Sequence, residues 1–294
     1  MSTKPKKQPG RPRKTPIEDP PQIHGIISEP FDQNNFMEFE YQHPLVMKQL
    51  SSFLHGCGTS QIMFDCQANF IEISMIGQSH DLKSVTVIDC KKCVRYYCKS
   101  PIQLYISATK FHDEFNQISK SCTTFTISLN KSMIGQSIDI SMYLKSLNAA
   151  KNSKVELIAP SDDIVFEPFG DFTNFKYKII SDSKAMKLQL NGHKDKKIIA
   201  SLIKTPTTPF VIILENDVKT SIRYEFTNVT EGDEETRLEE NEIINCRIHL
   251  HLLKNIFSIP FAKTFTIYLV SDTKVLIMYD SDASLCRHCF YINI

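Results

Sequence analysis

From residue 36 to about residue 144 the chain alternates apolar and polar positions. The runs FMEFEY, QIMFDC, FIEISMI, SVTVI, VRYYC, IQLYI, TFTISL and IDISMYL all follow the two-residue period of half-buried strands. Two stretches break that period. In His43–His55, Pro44 stands at a helix-entry position, and Val46, Leu50, Phe53 and Leu54 fall on one helical face before Gly56 stops the run. In Ser107–Ile118, Phe111, Phe115 and Ile118 share a face, and Ser107 is placed to cap it.

The second half repeats this order. TFTISL at 124–129 returns as TFTIYL at 264–269, about 140 residues later. FKYKII (175–180) alternates like FMEFEY, and the capping cluster Ser181-Asp182-Ser183 follows it. MKLQL (186–190) is read as the counterpart of the helical MKQL (47–50), although Met186, Leu188 and Leu190 also alternate as a strand would. KIIASLI, FVIILE and SIRYEF are strands. LYISATK (104–110) is answered by IHLHLLK (248–254), each a strand end closed by a lysine. A helix over 251–259 turns Leu253, Ile256 and Phe257 inward, and TFTIYL, KVLIMY and CFYINI complete the series. The whole order recurs, so the chain is an internal duplication of the α+β class. Its domains are 36–144 and 175–294. Residues 145–174 join them and are long for an ordinary connection.

A length of 294 residues accommodates two such domains. No apolar run approaches the roughly 20 residues that span a bilayer. The basic N-terminus is not followed by an apolar stretch, so a secretory leader is not expected. The setting is then intracellular and reducing, with the nine cysteines as free thiols. Charge is unevenly spread. Lys4, Lys6, Lys7, Arg11, Arg13 and Lys14 lie in the first 14 residues with no acid among them. The remaining 28 bases face 33 acids. Residues 1–35 are proline-rich and aperiodic and read as a disordered basic arm on a mildly acidic body. The loop EGDEETRLEENE (231–242) is acidic. The arm points to a polyanion; the body as a whole does not.

Signatures of catalysis are missing: no Walker loop, G-x-S-x-G, H-E-x-x-H or EF-hand pattern occurs. Cys90-Lys91-Lys92-Cys93 and Cys286-Arg287-His288-Cys289 are both C-x-x-C. Each borders or lies in a strand, where positions i and i+3 face opposite sides unless a turn intervenes. They are read as buried or edge thiols rather than a four-thiolate zinc site. His249 and His251 share a strand face without an evident carboxylate partner and are read as a chance pair. The expectation is a protein that is not an enzyme, with no metal, cofactor or small-molecule substrate.

Two β-rich domains, each with two short helices and joined by a long crossover, resemble the sliding clamps of the proliferating cell nuclear antigen (PCNA) family. LHLLKNIF followed by KTFTIYLVSDTKVLIMYD is the part most similar to that family. The arm QPGRPRK, with GIISEP and MEFEYQHPL after it, is similar to the start of the PCNA-like proteins of African-swine-fever-type large DNA viruses. The resemblance covers about residues 36–294, by pattern more than identity. It implies a DNA-clamp fold and a homotrimer that closes head to tail by strand pairing around duplex DNA. Helices would line the hole. DNA polymerase and other replication and repair proteins would dock on the ring, in the host cytoplasm or nucleus.

The resemblance also assigns residues. Lys48, Lys110, Lys184, Lys187 and Lys254 are the candidate DNA contacts on the helices. A clamp must slide, so its phosphate contacts must be diffuse and sequence-blind, which flexible lysines provide. Asp113 and Glu114 dilute that charge. Gly10, Arg11, Pro12 and Arg13 with Lys14 resemble an AT-hook, in which arginines enter a narrow A·T minor groove, although Pro9 stands where that motif has arginine. A general phosphate-binding or import tail is the other reading of the arm. Leu157, Ile158, Phe166, Pro168 and Phe169 in the connector are the candidate partner-docking residues, or simply pin the loop to the sheets. The subunit joint is assigned to Ile138, Ile140 and Met142 against Ile222, Tyr224 and Phe226. The rival function is a non-ring DNA-tethering scaffold of the same fold that binds DNA mainly through the arm.

Overall fold

A computed structural model describes residues 24–77, 82–161, 175–191, 193, 198–215, 221–226, 229–231, 242–257, 263–280 and 286–293. The first half runs β1 (Asn35–Tyr41), α1 (Pro44–Gly56), β2 (Gln61–Cys66), β3 (Phe70–Ile76), β4 (Leu82–Asp89), β5 (Arg95–Cys98), β6 (Ile102–Ser107), α2 (Ala108–Asn116), β7 (Cys122–Asn130), β8 (Ser137–Leu144) and β9 (Ala149–Glu156). The second runs β10 (Tyr177–Asp182), α3 (Ser183–Asn191), β11 (Ile199–Lys204), β12 (Phe210–Glu215), β13 (Ser221–Phe226), β14 (Val229–Glu231), β15 (Ile244–His249), α4 (Leu250–Phe257), β16 (Thr264–Ser271), β17 (Lys274–Asp280) and β18 (Cys286–Asn293). A short 3-10 turn, Cys90–Lys92, separates β4 from β5.

Alternation becomes strand wherever it was strict. Met37, Phe39 and Tyr41 of β1 are all buried in one aromatic core, where Phe125 meets Phe39 at 5.8 Å and Tyr41 at 5.7 Å. Helices form where the apolar period lengthens. Pro44 opens α1, where a missing N–H costs nothing. Ser107 Oγ accepts from Lys110 N at 3.5 Å to cap α2, and Asp182 Oδ1 accepts from Ala185 N at 2.8 Å to cap α3. The ambiguous MKLQL is helical: Met186 and Leu190 are buried four residues apart, while Leu188 between them is 78% exposed.

The sheets expose the duplication more fully than the sequence does. A five-stranded sheet has the order β5-β1-β7-β8-β9, and a four-stranded sheet the order β13-β12-β11-β15. The third has nine strands, β14-β10-β16-β17-β18-β4-β3-β2-β6. Cut between β18 and β4, it gives one five-stranded and one four-stranded piece with the orders of the other two sheets. Each half is therefore a five-stranded and a four-stranded sheet of the same topology. The two halves fuse where β18 pairs antiparallel with β4, from Cys286↔Ile88 to Ile292↔Leu82. Helices follow the same plan: α1 packs on α2, α3 on α4, and α1 meets α4 across the join. Phe53 of α1 and Phe290 of β18 lock that join edge to face at 5.0 Å.

Candidate nucleic-acid interface and open sheet edges

The lysines assigned to DNA divide into two groups. Lys48 Nζ donates to the carbonyl oxygens of Asn116 at 2.7 Å and Ile118 at 2.8 Å, at the end of α2. Lys254 Nζ donates to the His193 carbonyl just beyond α3. Each helix pair is thus clasped by a lysine from one helix at the carbonyl end of the other, where the helix dipole favours a cation. These two side chains are half-buried and engaged. Lys110, Lys184 and Lys187 are exposed on α2 and α3. Lys110 also borders a cleft of about 240 Å³ with Glu114, Lys154, Val155 and Glu156, between α2 and β9.

The sheet edges correct the assigned joint. Ile138, Ile140 and Met142 lie on β8, which is paired on both sides by β7 and β9, and all three side chains are buried in the core of their own half. The outer strand is β9, which falls inside the span read as connector. Its sequence, AAKNSKVE, is almost wholly exposed, with Val155 its buried residue. Ile222, Tyr224 and Phe226 lie on β13, the outer strand of the four-stranded sheet, with Ile222 exposed. Among the described residues, β9 and β13 each pair on one side only. They are the repeat counterparts of β18 and β4, the two strands that join the halves.

Two solved structures share this architecture. A crystal structure of PCNA from Entamoeba histolytica superposes with a TM-score of 0.67 over 88% of this chain and 98% of its own, at 14% identity. A PCNA2–PCNA3 complex from Sulfolobus tokodaii gives a TM-score of 0.69 over 87% and 98%, at 11% identity. This is the PCNA clamp fold. No protein-family model matches the chain. By sequence the chain is 28% identical over 127 residues to an uncharacterized protein of African swine fever virus, in isolates from Kenya and Namibia. That match covers 43% of this chain, and the chain spans 42% of the length of the curated relatives it matches.

Within the clamp fold the connector begins later than residue 145. Leu157 still bridges Ile106, and Ile158 N donates to Tyr105 O at 2.9 Å, so both are held to β6 by backbone bonds. Ile158 is 38% exposed. Phe166, Pro168 and Phe169 lie outside the described residues, as do the arm residues Lys4, Lys6, Lys7, Gly10, Arg11, Pro12, Arg13 and Lys14 and most of the acidic loop.

The fold carries a further element within the span that the sequence pattern assigns to the arm. His24–Ile27 runs parallel to β5, outside it. His24 N donates to Val94 O (2.8 Å), Gly25 N to Cys93 O (3.2 Å), Ile27 N to Tyr96 O (2.9 Å), and Tyr96 N returns to Gly25 O (2.9 Å). Beyond it, Phe31 stacks on the Arg95 guanidinium, 4.5 Å to the ring centre. Arg95 in turn pairs with the buried Glu38 at 2.9 Å.

Cys90 and Cys93 do not straddle a strand. The 3-10 turn brings both inward, where they are fully buried near Cys66, Cys98 and Tyr96. Burial pushes the thiols of Cys66, Cys90 and Cys98 above their ordinary pKa. Inert thiols result. Among the described residues no group of His, Cys, Asp or Glu is arranged to hold a metal ion. His249 and His251 lie with ring centres 5.6 Å apart. Among the described residues no helix is long and apolar enough to cross a membrane.

Proposed function

We propose that this chain is a DNA sliding clamp: three copies close head to tail into a ring around duplex DNA, and polymerase and other replication proteins dock on it. The observation that carries the reading is the open pair of edges. β18 and β4 use one another up inside the chain, whereas their repeat counterparts β9 and β13 are left for other chains. A pair of different edges that meet head to tail makes a heterologous interface, which closes into a ring when the rotation permits. Closure also removes the two exposed strand edges. If the joint between copies reproduces the register inside the chain, then Ala149 faces Phe226, Ala150 faces Glu225 and Lys151 faces Tyr224. These pairs correspond to Cys286↔Ile88, Arg287↔Val87 and His288↔Thr86.

In such a ring α1 to α4 of each copy form the inner layer, since α1 and α4 already touch across the join. Lys110, Lys184 and Lys187 supply mobile cations to passing phosphates, while Lys48 and Lys254 hold the helices together. Among the described residues the helices carry few unengaged lysines, and the arm adds affinity. A second, linked contact acts at high local concentration and strengthens binding without slowing sliding through base-specific bonds.

The same thin inner charge favours the rival reading, a non-ring scaffold held to DNA by its arm. Retention on nicked circles against linear duplex of equal length separates the two. A clamp stays on circles and leaves open ends; an arm-only binder treats both alike. Sedimentation gives the companion readout, since a single species of 33.7 kDa at high protein concentration excludes the ring.

A further inference from the structure

The two halves differ where the chain steps from one sheet to the other. In the first half five residues link β4 to β5, and their 3-10 turn folds inward, so that Cys90 and Cys93 are fully buried near Cys66 and Tyr96. In the second half two residues link β13 to β14, too short a link for such a plug. The pairing registers give the equivalent positions. Lys204 stands where β2 has Cys66, and Val229 stands where β5 has the larger Tyr96. The described residues leave this space as a cavity of about 270 Å³ lined by Lys204, Pro209, Phe226, Val229 and Glu231. Its buried cation is already engaged. Lys204 Nζ donates to the carbonyl oxygens of Thr205 and Thr208 and lies 4.4 Å from the centre of the Tyr177 ring. What remains to be covered is the apolar wall of Pro209, Phe226 and Val229. Such a wall lacks the contacts of a packed core, so an apolar group gains by entering.

The first half presents such a group at its own open edge. Leu147 is 69% exposed, in the 3-10 turn Lys145–Leu147 that connects β8 to β9. The turn is held in shape: Asn148 takes φ +46°, its N–H donates to Lys145 O at 3.2 Å, and its Oδ1 accepts from the Tyr143 hydroxyl at 2.6 Å. Leu147 is therefore a pre-organised apolar knob. We infer that Leu147 of one copy seats in the Lys204–Phe226–Val229 cavity of the next copy and supplies the plug that the second half lacks. The inference rests on the proposed head-to-tail joint and names a side-chain contact within it. In that register Ala149 faces Phe226, which is both the last residue of β13 and a wall of the cavity. Leu147 precedes Ala149 by two residues, so antiparallel pairing carries it past Phe226 to the step between β13 and β14, where the cavity lies. The strand AAKNSKVE is polar and almost wholly exposed, and backbone bonds alone would let such an edge slip in register. A knob and socket at its end fix which register closes.

Sedimentation of the full chain over a range of concentrations reads the joint, and thermal melts of dilute samples check folding. Leu147→Ala removes a side chain that is exposed in the single copy, so its melt should match wild type. Its assembly constant is expected to weaken by about tenfold at each joint, the scale for returning a leucine from an apolar site to water. Val229→Ala widens the socket from the other side. If the two side chains touch, the double variant loses less than the product of the single effects. Single effects that simply multiply would put Leu147 against another surface and refute the socket. If wild type assembles and Leu147→Ala assembles equally well, the knob is refuted while the joint stands. A wild-type chain that remains a single copy at high concentration removes the joint and this inference with it.

Discussion

Replacing Phe290 by alanine tests the join that serves as the template for the proposed ring. Phe290 is fully buried on β18 and touches Phe53 of the first half at 5.0 Å and Tyr279 of the second at 6.0 Å. Phe→Ala in a core costs about 3–5 kcal/mol, less where the surroundings collapse into the space. Collapse is restricted here because β18 is paired on both sides, with β17 and β4. A loss of about 4 kcal/mol is therefore expected, of which the edge-to-face pair accounts for about 1 kcal/mol. The melting shift then reports the size of the cooperative unit. At about 2.1 cal/mol/K per residue, a chain of this length that melts as one unit shifts by about 6 °C, and a half that melts alone by about twice that. Calorimetry on Phe290→Ala, Phe53→Ala and the double variant gives both the shift and the pair energy. A loss under about 1 kcal/mol for Phe290→Ala, or strict additivity of the pair, would refute the account of the join.

Three further outcomes are expected. Lys48→Met should cost about 1–2 kcal/mol by freeing the carbonyls that end α2, yet leave retention on circular DNA nearly unchanged, whereas Lys110→Gln should do the reverse; unfolding and retention assays on both variants check the division of labour. Burial holds the pKa of His43 below its ordinary 6.5, so its neutral form is favoured in the fold. The unfolded chain binds the extra proton, and stability present above about pH 6.5 should fall as pH drops through the folded value. Denaturant melts from pH 7.5 to 5 should show that loss, and His43→Gln should flatten it. Finally, Ala150→Cys with Glu225→Cys places two cysteines opposite one another in the proposed register, within the Cα range a disulfide tolerates. Oxidation should give covalent rings on a non-reducing gel, and a chain that stays monomeric under oxidant would count against that register.

The order of strands and helices was readable because the apolar period switches cleanly between two and about three and a half, and because it does so twice. The strand β9 was hidden by its composition. Lys151, Asn152, Ser153 and Lys154 carry no alternation, and the strand forms because β8 turns back on it through a left-handed Asn148 at φ 46°. Assigning the joint to β8 followed from that omission, since the apolar residues Ile138, Ile140 and Met142 were the visible ones. Lysine roles were equally out of reach. Whether Lys48 faces a phosphate or a carbonyl depends on where α2 ends, 68 residues away. The C-x-x-C motif was legible as buried thiols, but only the 3-10 turn shows that both face one way.

The composition of β9 bears on how a single chain behaves before the proposed ring forms. An open strand edge is an invitation to fibrils, and one rich in valine and isoleucine would accept the first sticky neighbour during synthesis. Lys151 and Lys154 make this edge hard to stack in identical copies, because each added chain would bring like charges into line. In the proposed assembly such an edge disfavours stacking on copies of itself and leaves pairing to a strand of different composition.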